Sequence, residues 1–162
     1  MSLGDELWRQ FGGDVPATAE QVARDAIQRY GSGRAAARAL GVDEAQIRRW
    51  RDGKVKHSPN VHRIAQEARR TAAEGREGQP VAIRFRHAAR SRTATFRPSQ
   101  LVPGTEARVR DAYVRGDRDG MKDAFLAGVR DPWYRRNFRE WDRAAQPAPN
   151  DDDSDSPGVF GA

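Results

Sequence analysis

The 162-residue chain has no cysteine, which excludes disulfides and thiolate metal sites and leaves the redox compartment unmarked. Lysine is nearly absent, with three of the 29 basic residues, the remainder being arginine. Hydrophobic residues make up only 37% of the chain, aromatic residues 8% and charged residues 32%. Such a composition fits a small core beneath much solvated surface. No apolar run approaches the roughly 18 residues of a membrane span, and Met1 to Gly13 lacks the profile of a secretory leader. The expected location is therefore cytoplasmic, at the nucleoid, with no membrane partner. His57, His62 and His87 are scattered, without carboxylates at ligand spacing, and neither a phosphate-binding glycine motif nor a nucleophile elbow is present. No metal, cofactor or catalytic residue is expected, and an ordinary metabolic enzyme is not the expected class.

What is present is basic charge, unevenly placed. The net charge is +6. Residues 31–97 hold 16 basic and 6 acidic groups, whereas residues 1–30 are net acidic and Asp151, Asp152, Asp153 and Asp155 sit near the chain end. A concentrated positive stretch is where a polyanion would be gripped.

Within that stretch lies GRAAARALGVDEAQIRRWRD, residues 33–52, which reads as a helix-turn-helix. Gly33 to Leu40 forms a first helix, Gly41-Val42-Asp43 a turn, and Glu44 to Asp52 a second helix capped by Asp43. Small Ala37 permits close helix approach, and Leu40, Val42, Ile47 and Trp50 are spaced to share a core. A small residue, a glycine four on, then apolar residues six and nine later is the helix-turn-helix spacing, met here by Ala37, Gly41, Ile47 and Trp50. An ordinary helical hairpin is the alternative. On the second helix Glu44, Ala45, Arg48 and Arg49 point outward as candidates for base contact, with Arg matched to guanine and Glu to cytosine N4. Arg51, Lys54, Lys56 and His57 suit phosphates, and a solvated charged face is the alternative for both groups.

The flanking sequence supplies support. Leu3, Leu7, Trp8 and Phe11 share one face of a leading helix. Thr18 and Gln21 form a capping box ahead of a helix whose apolar face runs from Ala19 to Tyr30. Ser58 and Pro59 open another helix, with Val61, Ile64, Ala65, Ala68 and Ala72 as its buried face, and residues 74–80 read as a linker. The period then becomes two: Val81, Ile83 and Phe85 alternate with polar residues, as do Ala94 and Phe96, giving a hairpin joined through Ala88 to Arg92. Arg69, Arg70 and Arg76, then Arg84, Arg86, Arg90, Arg92 and Arg97, extend the basic patch. Thr105 and Asp117 are read as helix caps. A last helix from Pro132 carries Trp133, Tyr134, Phe138 and Trp141 among arginines, a set suited to a core, a protein partner or unpaired bases. The expected class is α+β, mainly α: a helix-turn-helix domain over residues 1–75, a hairpin with C-terminal helices over 76–143, and a disordered acidic tail over 144–162.

Met1-Ser2-Leu3 with its leading helix, RAAARALGVDEAQIRRWRDGKVK over residues 34–56, the basic helix from Pro59 with a short β segment after it, and YVRGDRDGMKDAFLAGV over residues 113–129 together resemble the telomere terminal proteins of linear actinobacterial replicons and their helix-turn-helix relatives on plasmids and integrated elements. The resemblance implies recruitment of a DNA polymerase or end-binding protein to replicon ends, and a hydroxyl near the β region that receives the first nucleotide. Ser91, Thr93 and Thr95 are the candidate hydroxyls. The paired-threonine, acid-flanked loop of the family is replaced here by the basic segment Ala88 to Arg92. The expected function is DNA binding, in a terminal protein or in a sequence-specific regulator of a plasmid or integrated element, with a homodimer on a palindromic site as one arrangement. An interaction module built on the C-terminal aromatic helix is the third class.

Overall fold

Eight α-helices and one β-hairpin make up the described residues, 1–145, of the computed structural model. The chain is therefore mainly helical with a small sheet, as its patterning predicts. The acidic segment expected to be disordered lies outside the described residues. The helices are α1 (Leu3–Phe11), α2 (Ala19–Tyr30), α3 (Gly33–Leu40), α4 (Glu44–Arg51), α5 (Pro59–Glu74), α6 (Thr105–Val114), α7 (Arg118–Gly128) and α8 (Pro132–Ala145), with strands β1 (Val81–His87) and β2 (Arg90–Phe96) between α5 and α6.

Local chemistry sets many of the boundaries. Ser2 with Asp5, and Thr18 with Gln21, form reciprocal capping boxes on α1 and α2. Asp117 accepts from the Gly120 amide and caps α7. Three expected caps differ. Asp43 and Ser58 occupy N-cap positions with extended backbone but make no side-chain cap bond. Thr105 is the first residue of α6 rather than its cap, and its hydroxyl donates to the Val102 carbonyl at 2.6 Å. That bond tucks its side chain against Gly128, where any Cβ would overlap it.

The buried residues form two cores. Ala19, Val22 and Ala23 of α2, Ala37 of α3, Ile47 and Trp50 of α4, and Val61 of α5 make the smaller one. The larger gathers Leu3, Leu7 and Phe11 of α1, the inner face of the hairpin, Val109 and Tyr113 of α6, Met121 and Phe125 of α7, and Phe138 of α8. The expected division at residue 75 thus differs from the cores in one respect: α1 precedes the helix-turn-helix in sequence but packs into the C-terminal core. Asp142, buried on α8, holds it there by accepting from the Leu3 amide at 2.8 Å and pairing with Lys122 at 3.3 Å. Arg118 adds a second clasp, bridging Asp5 and Asp14 while its guanidinium lies 4.6 Å from the Trp8 ring centre.

α5 belongs to both cores, and its buried face shifts where it passes between them. Val61 and Ala65 face the helix-turn-helix, but the inward positions further on are Arg69 and Ala73, not the expected Ala72, which is exposed. Arg69 is only 5% exposed and donates to the Val114 carbonyl at 2.9 Å, so it does not extend the basic surface. Arg76 is likewise committed, donating to the Pro80 carbonyl and lying 5.3 Å from the Phe11 ring centre. Residues 74–80 are held rather than free, since the Gly78 amide donates to Glu106. Tyr30, expected on the packed face of α2, is 45% exposed on its last turn.

The strands pair antiparallel with Val81 opposite Phe96, Ile83 opposite Ala94, Phe85 opposite Arg92 and His87 opposite Arg90. The connection is tighter than expected: only Ala88 and Ala89 form the turn, and Arg90 to Arg92 belong to β2. Both turn residues have positive φ, 50° and 62°, the left-handed geometry of a two-residue turn in which Asn-Gly is favoured. Alanine there carries Cβ strain. We predict that the double substitution Ala88→Asn, Ala89→Gly raises unfolding free energy by about 1 kcal/mol; denaturant titration that shows a loss would mean that the turn is not left-handed.

Tyr113 ties the two cores together by donating to the Gly13 carbonyl at 2.8 Å, and its ring sits edge-on to Trp8. Gly12, at φ 150°, leaves no room for a Cβ between that hydroxyl and Ala72. Burial pushes the Tyr113 hydroxyl above the usual tyrosine range, with Arg69 opposing and Asp14 adding to the shift. A pKa raised in the folded state stabilises fully below the unfolded value and is lost as pH rises through the folded one. Stability should therefore fall from about pH 10 upward through this group. Tyr113→Phe should lose about 1 kcal/mol at neutral pH and show a shallower alkaline decline, measured by urea unfolding across that range.

Candidate nucleic-acid interface

The α3–α4 turn follows from Gly41. At φ 69° it takes the left-handed conformation that ends α3, and its amide and that of Val42 close onto the Arg38 and Ala37 carbonyls. Ala37 is buried where α3 meets α4, Ile47 and Trp50 are sealed in the core, and Leu40 and Val42 pack against its edge. All six residues expected to build the helix-turn-helix core lie together. The rest of that core is mostly alanine and valine, so Trp50 supplies its largest side chain. Burying an aromatic of this size contributes several kcal/mol.

That packing leaves the opposite face of α4 in solvent. Glu44, Ala45, Arg48 and Arg49 are exposed together, as are Arg51, Lys54, Lys56 and His57 beyond the helix end. An eight-residue helix is about 12 Å long, short enough to lie in a DNA major groove of roughly that width. The charged side chains are not equivalent. Arg48 lies 3.8 Å from Glu44 and Arg51 3.2 Å from Asp52, whereas among the described residues Arg49, Lys54 and Lys56 have no carboxylate within 4 Å. Such exposed pairs are weak and salt-sensitive. Arg49 is therefore the cation on this helix most open to a new partner.

Sequence reading missed two further members. Arg34 and Arg38 on α3 are exposed and, among the described residues, lack a carboxylate partner. Their spacing of four along the α3 segment was the available signal. Arg63 of α5 reaches the Leu40 carbonyl at 3.4 Å, beside the same face. In helix-turn-helix geometry the first helix crosses the DNA backbone while the second enters the groove, so α3 cations meet phosphates.

The second group of expected contacts divides. Phe138 is fully buried and unavailable to a partner. Trp133, Tyr134 and Trp141 are partly buried against the larger core. Arg135 donates to the Val129 and Arg130 carbonyls and serves the fold. Ser91, Thr93 and Thr95 stand on the solvent face of the hairpin, opposite Arg86, Arg84 and Ala82. Arg84 donates to the Ser91 hydroxyl at 3.1 Å.

Compared with known protein families, curated proteins and solved structures, the chain finds no match. Among the described residues, no helix is long and apolar enough to cross a membrane.

Proposed function

We propose that this chain binds double-stranded DNA, with α4 in the major groove and α3 and the Lys54–His57 loop on the flanking backbone. The observation that carries this reading is the pairing of a fully buried inner face on α4, Ile47 and Trp50, with an exposed outer face bearing Arg48 and Arg49. An amphipathic helix whose outer face merely met water would not need neighbouring free cations on both the preceding helix and the following loop. Arg49 reads base edges, with Arg48 and Glu44 assisting as a pair, and Lys54, Lys56, Arg34 and Arg38 hold phosphates. Arg49→Ala should cost about 1–3 kcal/mol on the preferred sequence and flatten base preference. Lys54→Ala should weaken all sequences alike and lower the salt slope by about 1. Selection of bound sequences from a random pool, followed by titration at several salt concentrations, measures both; equal losses on preferred and random duplexes for both variants would refute the division of roles.

A terminal protein at replicon ends is the finer form of this reading. It is favoured by one arrangement: Ser91, Thr93 and Thr95 share an exposed face with Arg84 and Arg86, so hydroxyls and cations suited to a triphosphate stand side by side. A regulator uses the same α4 and needs none of these hydroxyls. With a DNA polymerase, cognate end DNA and labelled deoxynucleotides, the chain should acquire label. Substitution of the acceptor hydroxyl among Ser91→Ala, Thr93→Ala and Thr95→Ala should abolish it, while full labelling of all three variants would exclude these residues.

A further inference from the structure

The hairpin has a second face, and it meets α8. Strand alternation carries Arg92 to the side of Phe85 and Arg90 to the side of His87, toward the first turn of α8. There Arg90, Ser91, Arg92 and Thr93 form one wall, and Trp133 and Tyr134 the other, of an open cavity of about 450 Å³ floored by Phe85. Pockets of this size take small organic ligands.

Its walls are fixed by packing. Trp133 stands edge-on to Tyr134 at 5.1 Å and to His87 at 5.1 Å, and Phe85 is locked against Phe138 at 5.0 Å. The Arg92 guanidinium lies 6.0 Å from the Trp133 ring centre, at the outer limit of a cation–π contact, so the two flank the cavity without closing it. Among the described residues neither Arg90 nor Arg92 has a carboxylate within 4 Å. Asp131, the acid nearest in sequence to Trp133, is occupied in accepting from the Trp133 amide at 2.8 Å.

The β2 edge adds backbone groups. Gln10 of α1 takes both the amide and the carbonyl of Ala82, at 3.0 and 2.5 Å, so Ala82 directs its polar groups away from β2. Because antiparallel pairs alternate between bonded and open, Thr95 opposite Ala82, and then Thr93 and Ser91, point theirs away from β1 along the free edge of β2. An indole face, two uncommitted guanidiniums and a row of unpaired amides and carbonyls thus converge on one cavity.

We propose that this cavity binds single-stranded nucleic acid, one unpaired base stacking on Trp133 with Arg92 above it and Arg90 on the adjoining phosphate. A duplex base is already stacked on both faces and cannot enter; an unpaired base offers a planar face to the ring and its edge to the β2 backbone. An acidic peptide satisfies the arginines but leaves the indole and the strand edge unused. The site is separate from α4 and stands whether or not α4 reads duplex DNA.

The test uses the full chain with two fluorescent probes, an oligothymidine of roughly ten nucleotides and a duplex. Trp133→Ala should weaken oligothymidine about 5- to 150-fold, Trp133→Phe should keep most of the affinity, and both should leave duplex binding within about twofold of wild type, the allowance for context in such comparisons. The double variant Arg90→Gln, Arg92→Gln, both positions exposed, should weaken oligothymidine and reduce its salt slope by about 1.4. If Trp133→Ala fails to fold, that double variant decides. Unchanged oligothymidine affinity in it, equal loss on both probes, or displacement of oligothymidine by polyglutamate of the same charge as readily as by unlabelled oligothymidine would each overturn the proposal. Loss of duplex binding in Arg49→Ala with oligothymidine binding intact would support two independent sites.

Discussion

Everything in this fold depends on α5 serving two cores at once. Neither core has material to spare: the helix-turn-helix core is alanine, valine and a single tryptophan, and the larger core borrows its first helix from the far end of the chain. The changeover falls at Arg69, where a buried guanidinium bonds the Val114 carbonyl and lies against Gly116 and near Tyr113. A buried arginine carries a large desolvation penalty unless its donors are satisfied. Its position on α5 is therefore tightly specified, and the orientation of the helix-turn-helix follows from it.

Tyr113 completes the same seam from the other side. Its hydroxyl reaches the Gly13 carbonyl just past α1, so the chain leaving α1 toward α2 is pinned to α6. A glycine at position 12 is the accommodation this contact requires, because a Cβ there would meet the tyrosine oxygen at 2.4 Å. One hydrogen bond contributes only about 1 kcal/mol, but here it also fixes where the linker starts. Through α5 on one side and this linker on the other, the helix-turn-helix is held at both of its ends.

What the sequence made legible was what depends on local periodicity. The helix-turn-helix could be read residue by residue because Ala37, Gly41, Ile47 and Trp50 act within twenty residues of one another, and the capping boxes at Ser2, Thr18 and their partners are shorter still. The strands were legible from their alternation, the turn between them less so, since two alanines with positive φ carry no turn signal. Long-range partners were not readable. Nothing local marks Asp142 as the cap of α1, or Ala73 rather than Ala72 as the inward residue once α5 changes its neighbour. Arg92 facing Trp133 across forty residues follows only when the strand register is known.

Arginine content shows most clearly where composition stops being informative. Read as a total, the excess over residues 31–97 marks a broad polyanion-binding surface. In the fold, Arg69 and Arg76 are consumed by carbonyls and a ring, and outside that stretch Arg118 and Arg135 serve as braces. A guanidinium suits this work because its planar fork satisfies several acceptors and stacks on aromatics while its stem packs. The cations that remain uncommitted fall in two places, around α4 with α3, and at the end of β2 with the outer face of α8. In a chain so rich in arginine and poor in lysine, the count of charges says little about binding. Which guanidiniums the fold leaves without partners says much more, and those places are where a polyanion finds charge that packing has not already used.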